Sequence, residues 1–119
     1  MSEKYKGKRT RVRITVGSAE RYKGKSLYRA IIRKLEDHRV FGVTVIRGVG
    51  GFGSQSRFHT DRILSLITNL PIIIEFVDYG ERINDLLPEF DDMISKGMIT
   101  LEEVEVIFYR PSKKGGLMR

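Results

Sequence analysis

GVTVIRGVGGFG at residues 42–53, answered by PIIIEFV at residues 71–77, is the stretch whose reading decides the fold. Val43, Thr44, Val45 and Ile46 are β-branched in succession, which restricts χ1 in a helix and suits a pleated surface, so they predict a short strand. Pro71–Val77 is a second, near-continuous apolar run whose composition predicts a central strand buried on both faces. Five of the chain's twelve glycines (Gly42, Gly48, Gly50, Gly51 and Gly53) fall within residues 42–53. Glycine at that density allows positive φ and lets backbone N–H groups approach an anion closely, although a tight hairpin exit with a β-bulge needs glycine as well. Residues 61–69 (DRILSLITN) fit a helical turn or an extended arm, and the arm is the reading adopted.

Working outward, Arg11–Val16 alternates charged and apolar residues, the period-two pattern of a half-buried strand, and residues 18–25 (SAERYKGK) read as a loop. Ser26 is placed to cap a helix from Leu27 to Arg39, whose Leu27, Ala30, Ile31, Lys34 and Leu35 share one face. A second amphipathic helix is predicted from Glu81 to Lys96, with Ile83, Leu86, Leu87, Phe90, Met93 and Ile94 on its apolar side. Pro88 predicts a kink or early break within it, and Gly97 a C-terminal cap. A closing strand follows, with Val104, Val106 and Phe108 alternating with Glu103, Glu105, Ile107 and Tyr109. The order β-α-β, glycine-rich connection, β-α-β is that of an α+β, ferredoxin-like βαββαβ sandwich, an antiparallel sheet with two helices on one face. The opposite sheet face is expected to be apolar and bare in one copy, so oligomerisation across it is expected too.

Composition narrows the function. At 119 residues the chain is read as a single domain, 1–119, with flexible basic tails at 1–10 and 111–119. Its hydrophobic content of 40% is enough for a packed core. It has no cysteine, which excludes disulfides and thiolate metal sites. The polar start MSEKYKGKRTR lacks a secretory pattern, and the apolar run Leu70–Phe76 is too short to span a bilayer, so a soluble, cytoplasmic protein is expected. A net charge of +7 favours an acidic ligand or partner, though much of the excess sits near the two ends.

The residues in order carry a resemblance. Tyr22-Lys23-Gly24-Lys25-Ser26-Leu27-Tyr28, Gly42-Val43-Thr44-Val45-Ile46-Arg47-Gly48, Gly51-Phe52-Gly53, Arg57-Phe58-His59-Thr60, Leu70-Pro71 with Glu75, and Val104-Glu105-Val106 together resemble a PII-like family known as domain of unknown function 190. That family is similar to the PII signal-transduction proteins, homotrimers that bind adenine nucleotides in clefts between subunits and present a long loop to membrane transporters or enzymes. Gly51-Phe52-Gly53-Ser54-Gln55 resembles the Gly-Phe-Gly-x-Gln at the base of the PII loop, which puts residues 54–69 in the place of that loop. The resemblance implies a ligand site built from Lys25, Thr44, Arg47, Gly48, Gly50, Gly51, Phe52, Gly53, Ser54, Gln55, Ser56, Arg57 and His59. Its ligand would be an adenine nucleotide or another small anion, matched bidentately by arginine. The chain departs from PII in three places, one being that residues 54–69 hold no equivalent of the loop tyrosine uridylylated in some PII proteins. Pro71-Ile72-Ile73 is apolar where PII carries a phosphate-binding basic residue, and only Ser95-Lys96-Gly97 stands where PII has a Gly-Asp-Gly-Lys-type loop. AMP or ADP is therefore favoured over a triphosphate.

No catalytic motif or metal-ligand spacing is present, so neither an enzyme nor a cofactor is expected. Ser56, Arg57 and His59 are the residues an enzyme reading would have to use. His38 reads as a helix-end residue, and Glu89, Asp91 and Asp92 as a solvated acidic face. A basic RNA-binding module of the same fold is the alternative, but it needs aromatics on the open sheet face, and Phe76 and Phe108 do not supply that motif. Nucleic acid is therefore not the expected partner.

Overall fold

In the computed structural model, which describes residues 6–50 and 69–111, the alternation around Arg11–Val16 belongs to a longer strand, β1 (Gly7–Gly17). Gly7–Thr10 belong by sequence to the basic tail expected at 1–10. They are paired instead, from Gly7 opposite Val106 to Thr10 opposite Glu103, because the last strand is long enough to offer them a ladder. A small hairpin, β2 (Arg21–Tyr22) and β3 (Lys25–Ser26), occupies what was read as loop. Its two-residue turn uses positive φ at Lys23 and Gly24, the twist that matches antiparallel strands.

Then come α1 (Leu27–Asp37), β4 (Val43–Arg47), β5 (Pro71–Asp78), α2 (Gly80–Met93) and β6 (Met98–Val106). The four long strands lie in the order β4-β5-β1-β6, all antiparallel, which is the ferredoxin-like arrangement expected.

Val12, Ile14 and Val16 of β1 and Ile72, Ile74 and Phe76 of β5 turn to the helices. There they meet Leu27, Ile31 and Leu35 of α1 and Ile83, Leu86, Phe90 and Met93 of α2. These residues recur at steps of two on strands and three or four on helices, so one buried layer satisfies both periods.

Several boundaries differ from the sequence reading. α1 ends two residues early, at Asp37, with Arg39 in the left-handed region. Ser26 stands at its N-cap but makes no side-chain capping bond. α2 runs through Pro88 without a break. Pro88 and Asn84 are both exposed, so the carbonyl that loses its i→i−4 donor faces water. It then stops at Met93, which leaves Gly97 with a role other than capping: a Cβ there would fall 2.7 Å from the Thr15 carbonyl oxygen. β6 starts at Met98 and ends at Val106, leaving Ile107, Phe108 and Tyr109 outside it.

β5 is central, as expected, but only alternate residues are fully buried, since its other side lies on the open face of the sheet. That face is not the apolar surface predicted. Arg13 pairs with Glu75, and Arg11 with Glu102, among Ile46, Ile73, Val77 and Met98. Glu102 raises the Arg11 pKa, chiefly through its hydrogen bond and then through its charge. Phe76 points into the core and Phe108 lies beyond β6, so the described strands offer no aromatic platform for bases.

At one end of the sheet Arg9 is buried (7% exposed), with its guanidinium 4.1 Å from the Tyr79 ring centroid and bonded to the Tyr79 hydroxyl. Phe41 meets Tyr79 edge-on and stacks on Tyr109, whose hydroxyl donates to the Phe41 carbonyl. This cluster binds the start of β1, the approaches to β4 and α2, and the chain after β6 into one unit. Between the helices, Lys34 donates to Glu89, and His38 lies 3.4 Å from the other oxygen of that carboxylate. Glu89 is thus an ion-pair partner rather than part of a free acidic face.

Candidate functional site

The opposite end of the sheet is where the chain leaves β4 and returns to β5. Arg47 is the last residue of β4 and pairs with Ile72, and Gly17, the last of β1, pairs with Pro71. Just beyond, the Gly48 N–H donates to the Pro71 carbonyl at 2.7 Å. Only glycine fits there, because a Cβ on residue 48 would sit 2.5 Å from Pro71 Cγ. The glycine read from sequence as an exit from the strand therefore fastens the outgoing leg to the returning one.

The returning leg is fastened a second time. The Ser18 N–H donates to the Leu70 carbonyl (2.7 Å), and the Leu70 N–H donates back to Ser18 Oγ (2.9 Å). Asn69 Oδ1 accepts from the Ala19 N–H at 2.9 Å, and Asn69 Nδ2 donates to Glu20 Oε2 at 3.3 Å. Glu20 is the hub of this corner. Its carbonyl accepts from the N–H of Leu27, the first residue of α1, and its Oε2 also faces Lys96 Nζ at 3.9 Å.

Of the residues singled out from sequence, Thr44 and Arg47 are exposed on β4 but on opposite faces, Thr44 opposite Glu75 and Arg47 opposite Ile72, with Gly48 and Gly50 at the strand's exit. Lys25 is on β3, in the hairpin before α1, and makes no hydrogen bond or ion pair with them. Gly51, Phe52, Gly53, Ser54, Gln55, Ser56, Arg57 and His59 lie outside the described residues, as does most of the 61–69 arm. Ser18, Glu20, Asn69 and Lys96 were not predicted as site residues. They work through tertiary contacts 49–76 residues apart in the chain, for which a single sequence holds no signal beyond the Ser-Lys-Gly of residues 95–97.

Among the described residues, the exposed cations at this end include Arg47 and Lys96. They stand at opposite edges of the sheet, β4 and the entry to β6, three strand spacings or about 14 Å apart. Among the described residues no group of His, Cys, Asp and Glu is arranged to hold a metal, and no helix is long and apolar enough to cross a membrane. The Ser18, Ala19, Glu20, Gly48 and Leu70 amides at this corner all donate within the chain, so what it offers an anion is its exposed cations, which is the chemistry of binding.

Comparison with known proteins identifies the lineage. The chain belongs to the DUF190 family (Uncharacterized ACR), whose model matches residues 9–106. A UPF0166 protein of Aquifex aeolicus is 31% identical over 101 residues, covering 85% of this chain and 95% of that protein. A UPF0166 protein of Methanocaldococcus jannaschii is 32% identical over 96 residues, 80% of this chain and 88% of its own. Among solved structures, CPII from Thiomonas intermedia bound to ADP and bicarbonate superposes with a TM-score of 0.59 at 17% identity, over 83% of this chain and 88% of that one. A second structure of CPII, described as a nitrogen regulatory PII-like protein and bound to ADP, AMP and bicarbonate, gives the same TM-score at 18% identity. The PII-like fold is thereby established for this chain.

Proposed function

Taking that family membership as the premise, we propose that the chain is a PII-like sensor that binds a small anionic ligand and regulates a partner protein, with no catalytic step of its own. The favoured ligand is an adenine nucleotide, ADP or AMP, held in clefts between the subunits of a homotrimer. The signal passes through residues 54–69 to a membrane transporter or an enzyme in the cytoplasm.

The pinned corner at Gly48, Pro71 and Asn69 is the observation that carries this reading. It brings exposed cations and both legs of a long connection to one end of the sheet, so a ligand bound there is coupled to the connection. The exposure of Arg47 on β4, an edge strand, suits an intersubunit site, because an edge can face another copy across a cleft. The ADP- and AMP-bound state of CPII, which shares the fold, supports the choice of nucleotide.

Calorimetric and thermal-shift titration with AMP, ADP, ATP and bicarbonate tests the reading, with mass measured in solution. A ligand present at 100 times its Kd stabilises the native state by about 2.7 kcal/mol. ADP or AMP should raise the melting temperature of a trimer, and Arg47→Ala should lower that gain. Absence of a shift with every ligand overturns the sensor reading.

A further inference from the structure

We propose, resting on the ligand reading above, that Glu20 is a built-in competitor for the ligand. Its carboxylate holds Lys96 until an anion takes the lysine away, and the release tightens the clamp at Asn69. A single oxygen, Glu20 Oε2, is shared by two donors. Asn69 Nδ2 lies 3.3 Å away and Lys96 Nζ 3.9 Å away, both beyond the 2.9–3.0 Å at which N–H···O bonds are strongest.

The two partners of that oxygen differ in what they could do next. The Lys96 side chain is 61% exposed, held by attraction rather than by a formed hydrogen bond, and can turn to another anion at little cost. The Glu20 side chain is only 19% exposed, and its residue is fixed at both ends, its N–H donating to Gly17 and its carbonyl accepting from Leu27. The carboxylate therefore stays in place when the lysine leaves, and its freed oxygen closes on Asn69. Asn69 in turn grips Ala19, so the returning leg at Asn69 and Leu70 is held harder when ligand is bound. The corner thus reports occupancy of the anion site to the chain entering β5, with the lysine side chain turning and the backbone of the corner staying in place.

The experiment is ADP titration of the full chain and of Glu20→Gln, Lys96→Met and the double variant, with hydrogen exchange followed at the Ala19 amide. Glu20→Gln keeps an acceptor for Asn69 but removes the charge that competes for Lys96. A half-exposed pair at this distance should cede about a two- to five-fold gain in ADP affinity, and the gain should shrink in high salt. Lys96→Met should weaken ADP binding and cancel the effect of Glu20→Gln. ADP should slow exchange at Ala19 in the wild-type chain.

If Glu20→Gln binds ADP no better than wild type, or if its gain persists without Lys96, the competition is refuted while the sensor reading stands. If neither the wild-type chain nor Glu20→Gln binds ADP, AMP, ATP or bicarbonate, both fall.

Discussion

Gly17→Ala should change sign depending on what occupies position 69. Gly17 ends β1, and a Cβ built on it lands on the Asn69 carboxamide, to which its three nearest atoms all belong. Gly17 is not among the positive-φ glycines, so alanine meets no backbone strain there. The added methyl displaces a side chain and leaves the strand where it is. Asn69 then loses its bonds to Ala19 and Glu20, each worth roughly 0.5–1.5 kcal/mol and here nearer the low end because both are exposed, so the loss is about 1 kcal/mol. Against it stands about 0.5 kcal/mol gained by restricting the unfolded chain.

The net effect of Gly17→Ala alone is a destabilisation of about 0.5 kcal/mol. In an Asn69→Ala background the obstruction is gone, and Gly17→Ala should stabilise by about 0.5 kcal/mol. The coupling of about 1 kcal/mol corresponds to roughly 4 °C in Tm for a chain of this length. Denaturant midpoints of the four proteins at one fixed concentration measure it. Additive effects, with Gly17→Ala costing the same in both backgrounds, would refute the displacement argument.

Two further predictions concern the packing around this corner and between the helices. Gly97→Ala places a methyl against the Thr15 carbonyl at 2.7 Å and Val16 Cγ1 at 2.9 Å, where backbone must move, so it should cost about 1–3 kcal/mol in denaturant unfolding; a cost under about 0.5 kcal/mol would show the contact to be slack. The Lys34 hydrogen bond holds the Glu89 carboxyl below its ordinary 4.5, and the same bond raises Lys34 above 10.5. The carboxylate's contribution is present above pH 4.5 and lost as pH falls through its lowered value; the lysine's is present below pH 10.5 and lost as pH rises through its raised one. Melting curves of wild type and Lys34→Met should therefore separate at neutral pH and converge in acid; parallel curves down to pH 2 would remove the helix–helix tie.

Much of the fold was legible because burial imposes a period. The alternation at Arg11–Val16 and the three- and four-step recurrence in both helices mark residues that lie in the core, and the order of elements allowed few sheet topologies. The errors have a common physical source. Gly7–Thr10 look like a tail because their pairing depends on where β6 ends, about a hundred residues away. Pro88 looks like a helix breaker because its exposure, which makes it tolerable, is set by packing. The open face looked apolar because Arg11 and Arg13 carry no mark in the sequence of the carboxylates they meet across the ladder. At the corner, a glycine-rich exit from β4 was legible from local composition, whereas Glu20 and Asn69 act through hydrogen bonds that only the folded chain creates.

The double fastening of the two legs also bears on how this fold can change over evolutionary time. Gly48 and Pro71, Ser18 and Leu70 close the connection at its root, so the cost of closing it depends only logarithmically on the number of residues between, and doubling that number adds about 0.6 kcal/mol. The number of residues in the connection therefore weighs little on the cost of closing it. Descendants of one ancestral domain can rewrite that stretch for new partners by insertion, deletion or wholesale replacement, while selection on the core continues undisturbed.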